Sequence, residues 1–140
     1  MKTILVTGGC GYIGSVLVRQ LLELGYRVRV LDSLMYGGEA IVELLYNTSF
    51  EFVLGDVRNE ADLKSAIIGI DAVVHLASIV GDPACSKSPE LARSTNIDGT
   101  ISQMEEVNRT EFLQVIKDYL EKNPIKSLYK DFNDTVKIHL

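Results

Sequence analysis

Cysteine, proline and basic charge are all in short supply in this sequence of 140 residues. Its two cysteines, Cys10 and Cys85, show no metal-ligand spacing. They read as two reduced thiols of a cytosolic protein rather than as a disulfide or zinc framework. The 14 Lys and Arg are outnumbered by 19 Asp and Glu, for a net charge of −5. No basic stripe can be built from that balance, which argues against nucleic acid and anionic membrane as partners. No apolar run approaches the ~20 residues that a membrane span needs. The start, Met1 to Val6, is apolar too briefly to read as a signal peptide. Repeats, low-complexity tracts and Pro- or Ser-rich linkers are also lacking. What is present suits one domain: 46% hydrophobic and 24% charged residues supply a core and exclude disorder by composition.

Glycine is absent from the last 41 residues, and all 11 glycines fall between Gly8 and Gly99. The tail is dense in Lys, Glu, Asn and Asp instead. This shift sets an expected boundary near Thr100, with a first unit over residues 1–107 and a helix and tail over 108–140 that form no separate domain. The front part alternates strand and helix signals. Strands are expected at Thr3 to Val6, Arg27 to Leu31, Glu51 to Leu54 and Ala72 to Leu76. Between them lie a helix from Tyr12 to Leu24 stopped by Gly25, a short helix from Glu39 to Tyr46, and a helix from Glu60 to Ile68 capped by Asn59. Apolar strands alternating with helices imply an α/β fold with a parallel sheet covered on both faces. Right-handed crossovers then give the strand order 3-2-1-4. Pro89 suits the first turn of a further helix, expected from Glu90 past Gly99 to about Val107. Asn108 would cap a helix carrying Phe112, Leu113, Ile116, Tyr119 and Leu120, and Thr135 to Leu140 alternates like a short edge strand.

The densest chemistry is Thr7-Gly8-Gly9-Cys10-Gly11-Tyr12-Ile13-Gly14. Gly9, Gly11 and Gly14 spell G-x-G-x-x-G, and Gly8, Gly11 and Gly14 spell a T-G-x-x-G-x-x-G variant. Both readings describe a backbone that turns tightly after a strand and lets a pyrophosphate approach the amides opening a helix. The loop stands between an expected strand and an expected helix, as that chemistry requires. Asp32 ends the second strand 18 residues after Gly14, where a carboxylate can accept from an adenosine ribose hydroxyl. Ser33 and Leu34 are not basic, so a 2′-phosphate has no partner and NAD is favoured over NADP.

These residues resemble the extended short-chain dehydrogenase/reductase family, the NAD-dependent epimerases and dehydratases of nucleotide sugars. The likeness covers Met1 to about Thr100. It includes the glycine loop, Asp32, Gly55-Asp56-Val57-Arg58, His75-Leu76-Ala77-Ser78, Val80 to Cys85, Pro89-Glu90 and Thr95 to Thr100. The resemblance implies a partial, doubly wound Rossmann-type domain. It places the cofactor against Gly8, Gly11, Tyr12, Ile13, Gly14 and Asp32, with Asp56 and Val57 at the adenine and Leu76, Ala77 and Ser78 beside the pyrophosphate and ribose. Read on their own, Asp56 can also cap a turn, His75 is a packed histidine rather than a base, and Asn96 is either solvated or structural. Cys10 lies in the loop without a neighbouring base and receives no catalytic role.

The family's acid/base pair, as the resemblance implies it, is a tyrosine with a lysine four residues on. Four residues after Tyr12, Tyr26, Tyr36, Tyr46, Tyr119 and Tyr129 stand Val16, Val30, Ala40, Phe50, Asn123 and Asn133. No catalytic residue and no metal ligand is therefore assigned. The expectation is a truncated, NAD-binding half of the family fold. Its fourth strand would become an open sheet edge, covered by Thr135 to Leu140 or by a second subunit in a two-fold dimer. Three functions stay open: a cofactor-binding half-domain without catalysis of its own, an epimerase or dehydratase completed by another chain, and an interaction module with a vestigial loop.

Overall fold

The computed structural model describes residues 1–106. Four parallel strands, β1 (Thr3–Thr7), β2 (Arg27–Asp32), β3 (Phe50–Leu54) and β4 (Ala72–His75), form one sheet in the order β3-β2-β1-β4. Ile4 pairs with Val28 on one side and with Ala72 on the other, so β1 is flanked on both sides. Its Ile4, Leu5 and Val6 are completely buried. Each such side chain contributes roughly 1.5–3 kcal/mol by leaving water. Alternation divides them between two cores. Ile4, Val6, Val28, Val30 and Val74 face α1 (Tyr12–Glu23) and meet its Val18 and Leu21. Leu5, Leu31 and Val73 face the opposite way, onto Leu63 and Ala66 of α2 (Glu60–Ile67). This double burial is why the strands read as unbroken apolar runs.

Helix ends follow the sequence signals. Gly25 adopts φ +85° just beyond α1; its amide donates to Leu22 and that of Tyr26 to Leu21, the paired bonds of a Schellman stop. The Asn59 side chain accepts from the amides of Ala61 and Asp62 and caps α2. At the other end of α2, Arg29 of β2 donates to the carbonyls of Ala66 and Ile68 while pairing with Glu51.

Three elements differ from the sequence reading. Glu39–Tyr46 is a 3₁₀ helix. A short helix, α3 (Asp82–Lys87), was not expected; it buries none of its residues, so no apolar stripe announces it. The expected single helix from Glu90 onward is instead α4 (Pro89–Arg93), a π turn (Ser94–Asp98) and α5 (Gly99–Glu106). The wider turn changes which side chains face inward, and Thr95 is buried on it. The helix expected at Phe112 to Leu120 and the edge strand expected at Thr135 to Leu140 lie outside the described residues.

Candidate functional site

The loops leaving the C-terminal ends of all four strands line an open groove. Ligand sites in α/β proteins of this kind lie beyond the strand ends. The glycine loop makes its floor. Gly8 sits at φ +71°, and a Cβ there would lie 2.7 Å from the Ala77 backbone. A Cβ on Gly14 would lie 2.3 Å from the Gly8 carbonyl oxygen, so the start of α1 is packed directly against the loop. Gly11 precedes α1 as its N-cap without a capping side chain, and no acid stands in the first turn. The opening amides and the positive end of the helix dipole are thus left to an external anion. Asn59, by contrast, closes the same position on α2 with its own amide oxygen.

Asp32 ties this floor to the β2 loop. One carboxylate oxygen accepts from the Cys10 amide at 3.0 Å and the other from the Leu34 amide at 2.8 Å. Leu34 is the one non-glycine among the described residues with a positive φ, +57°. A carboxylate has about four lone-pair sites, so Asp32 retains acceptor capacity for hydroxyl groups. The Cys10 thiol is pushed up to about 12 by burial and then by the Asp32 charge and hydrogen bond, which keeps it protonated and poorly nucleophilic at neutral pH.

Asp56 does what the residues alone allowed: its carboxylate caps a turn by accepting from the Arg58 amide at 2.9 Å. The Arg58 guanidinium also grips both carboxylate oxygens. That hydrogen bonding holds the Asp56 carboxyl below its ordinary range. An adenine amino group would have to share this carboxylate with Arg58. The Val57 backbone stands beside it in the groove.

Of the residues singled out in the sequence, Gly8, Gly11, Asp32, Asp56, Val57, Leu76, Ala77 and Ser78 line the groove together. Tyr12, Ile13 and Gly14 do not. Tyr12 is 91% exposed, and Gly14 is buried beneath the loop. Sequence reasoning missed Met35, Tyr36 and Gly37 in the loop beyond Asp32, and Ile79 and Thr95 on the opposite wall. Thr95 opens the Thr95 to Thr100 stretch, which carries no expected role for its side chain. Its hydroxyl oxygen is buried and has no hydrogen-bond partner. Among the described residues no group of His, Cys, Asp and Glu is arranged to hold a metal ion, and no helix is long and apolar enough to cross a membrane.

A parallel sheet of this order with a glycine-floored groove at its switch point defines a Rossmann-type nucleotide-binding domain. The model of the NAD dependent epimerase/dehydratase family matches residues 4–117, and the chain belongs to that family. An uncharacterized membrane protein of Methanocaldococcus jannaschii is 40% identical over 108 residues, covering 74% of this chain and 32% of that one. The bifunctional UDP-glucose 4-epimerase and UDP-xylose 4-epimerase 3 of Arabidopsis thaliana is 34% identical over 116 residues, covering 74% and 32%. Among solved structures, the dTDP-glucose 4,6-dehydratase DesIV of Streptomyces venezuelae, with NAD and TYD bound, superposes with a TM-score of 0.69 at 35% identity, covering 74% of this chain and 35% of that one. This chain therefore spans about a third of the length of these relatives.

Proposed function

We propose that this chain binds NAD in the groove and, by itself, turns over no sugar nucleotide. The observation that carries the reading is the uncapped, acid-free opening of α1 above the Gly8–Gly11 floor, which leaves backbone amides directed at a pyrophosphate. Asp32 accepts from the adenosine ribose hydroxyls, Asp56 and Val57 border the adenine, and Leu76, Ala77 and Ser78 wall the other side. When bound, the nicotinamide supplies reversible hydride transfer. The 140 residues contain no tyrosine followed four positions later by lysine, so we assign no acid/base residue to this chain. The relatives named above support nucleotide sugars as the substrate class served by such a cofactor.

Calorimetric titration with NAD⁺ tests this. Saturable binding is expected, weakened about tenfold or more by Asp32→Ala through lost hydroxyl contacts. No heat from wild-type protein shown to be folded by circular dichroism would overturn the reading in favour of an interaction module. Turnover of a UDP-sugar by the isolated chain would overturn the assignment of cofactor binding alone.

A further inference from the structure

The groove wall from Leu76 to Ile79 is held from behind by side chains that do not line the groove. The Ala77 amide donates to Thr7 Oγ1 over a long 3.5 Å, and Thr7 Oγ1 lies 2.7 Å from His75 Nδ1. On the other side of the ring, His75 Nε2 lies 2.9 Å from Thr100 Oγ1. Thr100 Oγ1 donates to the Asn96 carbonyl at 2.9 Å. The Asn96 side chain then clamps Ile79 with two bonds of 2.8 Å, accepting from its amide and donating to its carbonyl. The path leaves the wall at Ala77 and returns to it at Ile79, so it is a closed ring of hydrogen bonds. It joins β1, β4, the π turn and α5.

One donor order satisfies every member of the ring. A carbonyl only accepts, so in this order the bond to Asn96 takes the Thr100 hydroxyl hydrogen. Thr100 Oγ1 must then accept from His75, which places the imidazole proton on Nε2. Nδ1 is left bare and accepts from the Thr7 hydroxyl. In that arrangement Thr7 Oγ1 keeps its lone pairs for the Ala77 amide. A neutral imidazole satisfies every member; moving its proton to Nδ1 would leave the Thr7 hydroxyl hydrogen without an acceptor in the ring and would make the Thr100 hydroxyl choose between Nε2 and the Asn96 carbonyl.

We infer that His75, as the neutral Nε2–H tautomer, is a positioning residue for the groove wall, fixing Ala77 to Ile79 in the geometry that receives the dinucleotide. This assignment rests on the cofactor reading for its ligand but not for its ring. It also gives the π turn a purpose, since the wider turn serves Thr95 at the groove and Asn96 at the ring from adjacent positions. Such turns recur at functional sites.

Imidazole ¹⁵N spectra of the full chain without ligand test the ring, together with amide exchange at Ile79. The expected result is a bare Nδ1 and a protonated Nε2 in the wild type, with a shift of population toward Nδ1–H in Thr100→Val. His75→Phe should accelerate exchange at Ile79 without changing β3, and should weaken NAD⁺ about tenfold. His75→Gln, which keeps a donor toward Thr100, should recover part of both effects. If His75→Phe fails to fold, Thr100→Val supplies the same exchange and affinity readouts. An Nδ1–H tautomer in the wild type, or unchanged Ile79 exchange in a folded variant, would overturn the inference. A wild type that shows the ring signature yet binds no NAD⁺ would defeat the cofactor reading and the wall's role toward it, while leaving the ring itself established.

Discussion

Gln103 of α5 is 3% exposed, and neither its amide nitrogen nor its amide oxygen has a hydrogen-bond partner. A buried polar group left unpaired costs about 1–3 kcal/mol. Leucine has a similar volume and no such requirement, so Gln103→Leu should raise stability by about 1–2 kcal/mol in urea unfolding. An unchanged midpoint would mean that the amide is satisfied by water. His75 has the opposite character, every polar atom paired, and its burial sets a pH dependence. Desolvation holds its pKa down from 6.5 to about 4. Between those values the unfolded chain takes up a proton that the folded chain refuses. The contribution is therefore complete above pH 6.5 and is lost as pH falls toward 4, by at most about 3 kcal/mol. Unfolding free energies measured across pH 4 to 7 should show this slope in the wild type and a shallower one in His75→Gln.

Helix α1 depends on two glycines for different reasons, and alanine separates them. At Gly14 a Cβ meets backbone, 2.3 Å from the Gly8 oxygen and 2.7 Å from Gly9 Cα, so neither neighbour can yield without moving the loop. Gly14→Ala should cost about 1–3 kcal/mol and remove NAD⁺ binding. At Gly25 nothing lies within 4 Å, but φ is +85°. Gly25→Ala should cost about 1 kcal/mol and leave NAD⁺ affinity unchanged. Equal losses of affinity in both variants would show that binding follows global stability rather than loop geometry. The same elements show what was legible beforehand. β1 announces itself because both its faces are buried, and α1 and α2 because Gly25 and Asn59 are chemically committed to helix ends. The π turn stayed hidden because its extra residue per turn leaves the apolar spacing looking like ordinary helix. Asp32 and the glycine loop were readable from their positions beside a strand and a helix. Thr95 was not readable as a wall residue, because only the π geometry turns it to the groove. The Arg58 grip on Asp56 was equally hidden, since it depends on a turn that brings side chains two positions apart together.

At the scale of the whole molecule the sheet is asymmetric. Among the described residues β4 has β1 on one side and no strand on the other. Its Ala72, Val73 and Val74 side chains are nevertheless all buried at 2% exposure. Helices cover its faces, and among the described residues no strand pairs with its outer edge, the arrangement most prone to pairing with another strand. The Leu76 amide donates to Thr7, so period-two alternation directs Val74 toward β1 as well and turns the Val73 amide outward. Val73 is thus the informative position. We expect its amide to exchange slowly, since an open apolar edge of this kind is seldom left unpaired in a native protein. Exchange measured over a range of protein concentrations locates the cover: protection that grows with concentration, accompanied by a dimer in sedimentation, assigns it to a second chain. Protection independent of concentration assigns it to the chain itself. Rapid exchange at Val73 with slow exchange at Val74 would show the edge bare and would defeat both. That outcome would also weaken the case for a complementing chain, because a partner supplying catalytic residues would have to extend the sheet from this edge.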